Sequence, residues 1–387
     1  MSPSRSVALM GATGSIGNQT LEVLRREPDA FELVSISGGT NVNELSTIAK
    51  EFNVRHIGVS DDQSASALRG LVGPDVAIEV GAKGLEVLSS NADVVVNAVV
   101  GFAGLPVTMS ALKAGKRLAL ANKESLIAAA PLVEKVRSTP GAVILPIDSE
   151  HCAIHQALAS STSSMPYPDV RKIILTASGG PFRGWSKDRL VGVSTADALA
   201  HPTWSMGPKI TIDSSTLMNK GLEVLEASAL FGIEVDRVDV VVHPQSVVHS
   251  LVEYIDGSVI AQLSMPDMRL PIAYCLGLPG RLDHSWGKID FTSGLELTFE
   301  APDREAFPAL DLAYSAARLG GAAPAWLSAA NEISVEAFLQ GMISWQGIVE
   351  TVSAVMETYV PSALSSIDEL LENDANARRL ASEIIAK

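Results

Sequence analysis

Cysteine is scarce in this chain, occurring only at Cys152 and Cys275 in 387 residues. Two distant thiols without metal-type spacing support neither a disulfide framework nor a zinc knuckle, and they fit a reducing cytoplasm. Long apolar runs are also missing. None approaches the ~20 residues of a membrane helix, so no span is expected. The first apolar stretch, "VALM", leads straight into a glycine-rich turn and leaves no room for a signal-peptide core. Basic residues are few as well: 29 Lys and Arg against 44 Asp and Glu give a formal charge of −15. That balance argues against duplex nucleic acid or an anionic membrane as the main partner, and it makes any basic side chain in a pocket stand out. No repeats occur, and the serine-rich tract "SSTSSMP" at 160–166 reads as a surface loop.

What is present is a globular composition, 47% hydrophobic and 19% charged, in a chain long enough for two or three domains. Up to about residue 150, short runs ("SVALM", "FELVSIS", "HIGVS", "DVVVNAVV", "RLALA", "AVILPI") alternate with helical patterns. Such alternation predicts an α/β fold, a Rossmann-like parallel sheet domain over residues 1–149. Residues 150–275 mix the strands "RKIILTAS", "RVDVVVH" and "SVIAQLS" with helices, which predicts an α+β domain. A Pro- and Gly-bearing connector follows at 276–303. Residues 304–387 predict a helical bundle, with Val352, Val355, Met356 and Tyr359 at helical spacing and a capping box from Ser366 to Glu369.

Gly11, Gly14 and Gly17 in "GATGSIG" stand three apart between a strand and an amphipathic helix. Glycines there permit a tight turn and close approach of a pyrophosphate to the helix N-terminus, the signature of a dinucleotide site. The second strand ends in Ser37-Gly38-Gly39-Thr40-Asn41, without a carboxylate to repel a 2′-phosphate. NADP is therefore favoured over NAD, although no Lys or Arg stands there to welcome the phosphate.

Asp148 and Glu150 flank Ser149 at the mouth of an apolar strand in "ILPIDSEHCAIHQAL". Neighbouring carboxylates repel, and a hard divalent cation such as Mg2+ or Mn2+ turns that repulsion into attraction. Glu223 is the best third ligand. It lies three residues from Lys220 and four from Asn219, which places all three on one helical face near Ser214 and Ser215. An acid beside an amide and an ammonium suits a small molecule with a phosphate at one end and a chelating oxygen pair at the other; the plainer alternative is a solvated salt bridge. Ser178 with two glycines in "TASGGPF" forms a donor cluster for phosphate, or else a bare turn. His201, Trp204 and Met206 in "AHPTWSMG" have the makings of a lid over about 199–208, or of a fixed loop anchored by Trp204. Asn122, Lys123 and Glu124 follow the fifth predicted strand, at the carboxyl edge where open sheets bind ligands. His243 and His249 read as structural.

Together these motifs, with "VHPQSVVHSLVEY" and "AANEISVEAFL", resemble the 1-deoxy-D-xylulose 5-phosphate reductoisomerase family over nearly the whole chain. The resemblance implies NADPH- and metal-dependent rearrangement and reduction of a sugar phosphate to 2-C-methyl-D-erythritol 4-phosphate, in isoprenoid precursor synthesis. It implies Asp148, Glu150 and Glu223 as ligands of Mg2+ or Mn2+, with Co2+ a further option, and Lys123 and His201 beside those acids in catalysis. Substrate contacts fall to Lys123, Ser149, Glu150, Ser178, His201, Trp204, Ser214, Asn219, Lys220 and Glu223. Thr13, Gly14, Ser15, Ile16, Gly39, Asn41, Asn122, Glu124, Met206, Gly207 and Met268 fall to NADPH. It also implies a cytoplasmic homodimer. Two departures stand out: Thr40 where several relatives have lysine, and Phe102 in place of a small residue. The rivals are an NADP-linked alcohol or semialdehyde dehydrogenase, whose thioester form needs Cys152 as nucleophile, and a non-catalytic NADP-binding regulator.

Overall fold

The computed structural model describes residues 4–161, 163–204 and 206–387, so Thr162 of the serine-rich loop and Ser205 of the flap lie outside the described residues. The first elements in chain order are β1 (Arg5–Met10), α1 (Ser15–Arg26), β2 (Phe31–Ser37), α2 (Val42–Phe52), β3 (His56–Val59), α3 (Asp62–Arg69), β4 (Ala77–Val80) and α4 (Gly81–Leu88). Next come β5 (Val94–Asn97), α5 (Leu105–Lys113), β6 (Arg117–Leu120), α6 (Lys123–Arg137), β7 (Val143–Pro146), α7 (Ser149–Leu158) and β8 (Val170–Ala177). After them stand α8 (Thr195–Leu199), α9 (Pro208–Thr216), α10 (Met218–Phe231), β9 (Val238–Val242), β10 (Val248–Tyr254), β11 (Val259–Leu263) and α11 (Arg269–Gly277). The chain ends with α12 (Ala309–Leu319), α13 (Ala323–Leu339), α14 (Trp345–Glu357) and α15 (Ile367–Ile385). Two compact units emerge: Met1–Leu126 with Val133–Cys152 and Asp267–Trp286, and Ile127–Leu132 with Ala153–Pro266 and Gly287–Lys387.

The first unit holds a seven-stranded sheet in the order β4-β3-β2-β1-β5-β6-β7, parallel at every recorded pairing. β5 is buried along its whole length, as expected of a central strand covered by helices on both faces. The strand order reverses between β1 and β5, which sets a crevice at their carboxyl ends beside the glycine turn. Val7, Leu9, Ile36, Val94, Val96 and Leu145 form the core, and Ile272, Cys275 and Leu276 of α11 join it together with Trp286. Residues 267–286 thus return to the first sheet from late in the sequence, across part of the stretch read as a connector. β4 was not among the predicted strands.

In the second unit a four-stranded sheet runs β11-β10-β8-β9, with β10 antiparallel to both neighbours and β8 parallel to β9. The predicted bundle is present. Met218, Leu222 and Leu225 of α10 recur at helical spacing and pack with Ala309 and Ala313 of α12, Trp326 and Leu327 of α13, Val352 and Val355 of α14 and Ala377 of α15. This apolar seam fixes α10, whose opposite face carries the candidate acid. Gly221 makes the seam tight, because a Cβ there would lie 2.7 Å from that of Ala313. Ser366 caps α15 by accepting the Glu369 N–H at 3.2 Å. The Glu369 carboxylate returns to the N–H and hydroxyl of Ser365 rather than to Ser366, so the expected box closes one residue early. No helix among the described residues is long and apolar enough to cross a membrane.

Candidate active site

In the first unit the three glycines of the β1–α1 turn have different duties. A Cβ on Gly11 (φ +89°) would meet the Ala98 carbonyl at 2.4 Å, and one on Gly17 would meet the Gly11 carbonyl at 2.2 Å, so both are required by close packing. Gly14 is different. Its nearest neighbour would be 3.4 Å away, and it caps α1 without a side-chain hydrogen bond. The first N–H groups of α1, beside Thr13, Ser15 and Ile16, therefore have no side-chain cap from Gly14, as an anion site requires.

The turn after β2 leaves open space around Gly39. Asn41 caps α2, and its amide donates to Glu44 Oε2 at 2.6 Å, while Asn18 donates to Glu44 Oε1 at 3.3 Å. Glu44 is an acid at this turn that the sequence reading did not count. Asn122 is buried and fully committed: its amide donates to the Val99 and Gly101 carbonyls at 2.6 and 2.7 Å, and its oxygen accepts the Ser125 N–H. It caps α6 and pins the loop that carries Phe102, with Glu124 in the first turn of the same helix. Met268 precedes α11 and packs against the first unit's core.

Lys123 opens α6, and its ammonium lies 2.8 Å from Asp148 Oδ2 with both side chains largely buried. Asp148 stands just before α7, where its carbonyl accepts the Cys152 N–H and its Oδ1 accepts the Glu150 N–H at 3.2 Å. The acid is thus also a helix cap, and the positive end of α7 offsets its charge. Ser149 donates to Glu150 Oε2 at 2.5 Å. His151, in the first turn of α7 and fully buried, brings Nδ1 within 3.1 Å of Asp148 Oδ1. The sequence signal for His151 was available in its spacing three residues from Asp148. Cys152 points into the apolar core, and burial pushes the Cys275 thiol well up, so neither is a poised nucleophile. The thioester-forming rival loses its residue.

In the second unit β8 runs into Ser178, Gly179 (φ +88°) and Gly180 (φ +66°), and the Gly180 N–H donates to Ser178 Oγ at 3.2 Å. His201 joins this turn to the flap. Its Nδ1 accepts the N–H groups of Thr203 and Trp204 at 3.1 and 2.9 Å, which puts the proton on Nε2, 3.1 Å from Ser178 Oγ. Burial lowers the pKa of His201 and favours this neutral form. The Trp204 ring lies edge-on to His249 at 6.3 Å. Met206 follows, and Gly207 caps α9 without a side-chain bond. His243 is structural, as expected: Nδ1 donates to the Thr298 carbonyl and Nε2 accepts from Val247 and Val248.

α9 and α10 meet at Leu217, whose left-handed φ of 62° ends one helix and starts the other. Beyond the bend, Asn219 donates to Glu223 Oε1 at 2.5 Å and the Lys220 ammonium pairs with Glu223 Oε2. Lys220 is 3% exposed and Glu223 1%, so the solvated salt bridge considered above is excluded. A buried ion pair is a weak source of stability, which turns attention to what it can bind. Gly180 presses so closely on α9 that a Cβ would lie 2.7 Å from the Ser214 carbonyl, which sets the turn that carries Ser178 against α9 at Ser214. Ser215 instead turns inward, where its hydroxyl accepts from Trp345 Nε1 at 2.9 Å.

Comparison with known proteins places these residues in context. The profile of 1-deoxy-D-xylulose 5-phosphate reductoisomerase matches residues 7–130, that of its C-terminal domain residues 144–231, and a further DXP reductoisomerase C-terminal domain residues 263–380. The chain is 47% identical over 384 residues to the 1-deoxy-D-xylulose 5-phosphate reductoisomerase of Geobacter sp. (strain M21), covering 98% of this chain and 99% of that one. Against the enzyme of Xanthomonas axonopodis pv. citri (strain 306) the identity is 48% over 390 residues, covering 100% and 98%. Among solved structures, the Zymomonas mobilis enzyme in complex with NADPH is 41% identical with a TM-score of 0.92, covering 99% of each chain. A DOX-P reductoisomerase in complex with NADPH, fosmidomycin and magnesium is also 41% identical, with a TM-score of 0.91 and 99% and 98% covered.

Proposed function

The chain belongs to the 1-deoxy-D-xylulose 5-phosphate reductoisomerase family, and from that membership we infer how its residues divide the work. It is an NADPH- and divalent-metal-dependent oxidoreductase that converts 1-deoxy-D-xylulose 5-phosphate to 2-C-methyl-D-erythritol 4-phosphate for isoprenoid precursor synthesis. The observation that carries this conclusion is the likeness, over 99% of both chains, to an enzyme solved with NADPH.

The proposal concerns residues. Asp148, Glu150 and Glu223 would hold Mg2+ or Mn2+, an all-oxygen donor set that suits a hard cation. Thr13, Gly14, Ser15 and Ile16 would hold the pyrophosphate of NADPH, which fits the uncapped start of α1, with Gly39 and Asn41 toward the adenosine. Glu124, Met206, Gly207 and Met268 would complete the cofactor pocket, to which Asn122 would contribute by holding the Val99–Gly101 loop rather than through its amide. When bound, the metal supplies Lewis acidity to adjacent substrate oxygens and the cofactor supplies the hydride.

The chain's own groups do the rest. Lys123, already beside Asp148, would place its ammonium where negative charge develops on a substrate oxygen. Ser149 would donate to a substrate hydroxyl. Ser178, Ser214, Asn219 and Lys220 would clamp the phosphate, and that remote binding energy aligns the reacting carbons. His201, Trp204 and Met206 would close over the substrate and keep water from the aldehyde before its reduction. Truncating Lys220 to alanine removes one charge-assisted contact, about 1.5–3 kcal/mol, and should raise KM chiefly.

We also assign residues 1–149 to cofactor binding, 150–275 to catalysis, 276–303 to a connector and 304–387 to a supporting bundle, with the correction that residues 267–286 pack into the first unit and leave 287–303 as the connector proper. A homodimer in the cytoplasm is the assembly we favour. Its supports are the exposed edge strand β11, with Val259 and Ile260 open to solvent, and two cysteines that are not joined in a disulfide. The test of the site is the absorbance of reduced nicotinamide during turnover with 1-deoxy-D-xylulose 5-phosphate, with and without EDTA. Oxidation that EDTA stops and Mg2+ or Mn2+ restores is the expected result. Oxidation indifferent to chelation would remove the metal assignment.

A further inference from the structure

Ser214 on α9 lies between two buried polar ties into the C-terminal helices. Asp213, 1% exposed, accepts from Asn331 Nδ2 of α13 at 2.7 Å through Oδ1 and from Lys209 at 2.7 Å through Oδ2. Ser215 accepts from Trp345 of α14 and donates to the Ile212 carbonyl at 2.7 Å. On the other side, the Ser178–Gly180 turn touches the Ser214 backbone.

Asn331 is fully buried, and its carbonyl oxygen has no hydrogen-bond partner among the described residues. A leucine, which has the same branching of heavy atoms, would avoid that unpaired acceptor. What asparagine alone supplies is one N–H aimed at the carboxylate beside Ser214. We propose that Asp213 and Asn331 are positioning residues for the substrate's phosphate group. Asn331 holds Asp213, and through it the end of α9, so that Ser214 is already in place before the phosphate arrives. Without that tie the substrate must order α9 itself, and affinity falls. The proposal rests on the reading of Ser214 as a phosphate ligand given under Proposed function.

The test compares Asn331→Leu with Ser214→Ala and the unaltered enzyme, measuring KM for 1-deoxy-D-xylulose 5-phosphate, kcat, and NADPH binding by fluorescence. The expectation for Asn331→Leu is a KM raised about tenfold with kcat within about threefold and NADPH affinity unchanged, the pattern of lost preorganisation at a remote group. A purely structural role would lower apparent kcat with the folded fraction and leave KM alone, and that outcome overturns the proposal. If Ser214→Ala leaves KM unchanged, the phosphate reading of that serine fails and the proposal goes with it; if Ser214→Ala raises KM and Asn331→Leu does not, the proposal alone fails. Should Asn331→Leu not fold, Asn331→Asp decides. Its carboxylate can donate to Asp213 only when the two share a proton, so its KM relative to the unaltered enzyme should fall as pH is lowered. A ratio constant with pH overturns the proposal.

Discussion

At the scale of single residues, Glu223 is the sharpest test of the metal assignment. Glu223→Gln keeps the volume and the hydrogen bond from Asn219 but removes the charge that a cation would need. Metal-dependent turnover should drop by at least about 100-fold, with NADPH binding intact; near-normal turnover contradicts the assignment. Because Lys220 is then left buried beside a neutral amide, melting temperature is followed separately. His201 gives a pH test. Burial sets its folded pKa below the ordinary value near 6.5, so the unfolded chain binds the proton more readily. Stability from neutral His201 is therefore present above about pH 6.5 and is lost as pH falls through the interval below it. His155, lowered by burial as well, contributes in the same direction. Melting temperature should fall from pH 7 to pH 5, and less so in His201→Asn; an identical fall in both would remove His201 as a contributor. The sequence singles out residues of this kind where the proposed chemistry demands a rare pattern, as with the acids Asp148, Glu150 and Glu223. Roles were less legible: Asn122 stands in a plausible ligand-binding turn, yet its amide is spent on backbone carbonyls. Glu44 was overlooked because a side chain from the next helix reaches back to the turn.

At the scale of elements, the close approach of the β8 turn to α9 sets Gly180 against the Ser214 backbone. Gly180→Ala forces a side chain into a left-handed φ of +66° and against the Ser214 carbonyl. The expected result is a raised KM for the sugar phosphate together with about 1–3 kcal/mol of lost stability. A variant with lowered melting temperature and unchanged KM would show that the spacing between turn and helix does not matter to the substrate. Periodicity revealed the strands flanked by clear turns and the helical C-terminus. It missed β4, four residues with no fully buried position, because such a short half-covered strand carries little pattern. β10 was hidden differently: "VHSLVEY" was read as the end of the family motif "VHPQSVVHSLVEY", while its central place between β11 and β8 depends on partners far away in sequence. The return of α11 to the first unit was illegible for the same reason, since an apolar helix does not name the core it joins.

At the scale of the whole molecule, a formal charge of −15 sets the terms of association. Two such chains repel over distances comparable with the Debye length, about 30 Å in dilute salt and about 8 Å at physiological ionic strength. β11 ends its sheet with Val259 49% exposed and Ile260 37% exposed, an apolar edge with free backbone groups that would gain from pairing with a second copy. If that edge forms the dimer, apolar contact and strand pairing hold it while charge opposes it, so added salt should tighten it. Sedimentation equilibrium should then find twice the 40.7 kDa chain mass at physiological salt, with a dissociation constant that rises as salt is withdrawn. Ile260→Lys adds a charge to the edge and should shift the equilibrium toward the single chain, leaving NADPH binding by the first unit unchanged. A dimer indifferent to Ile260→Lys would place the interface elsewhere, and a single chain at every salt concentration would remove the homodimer altogether.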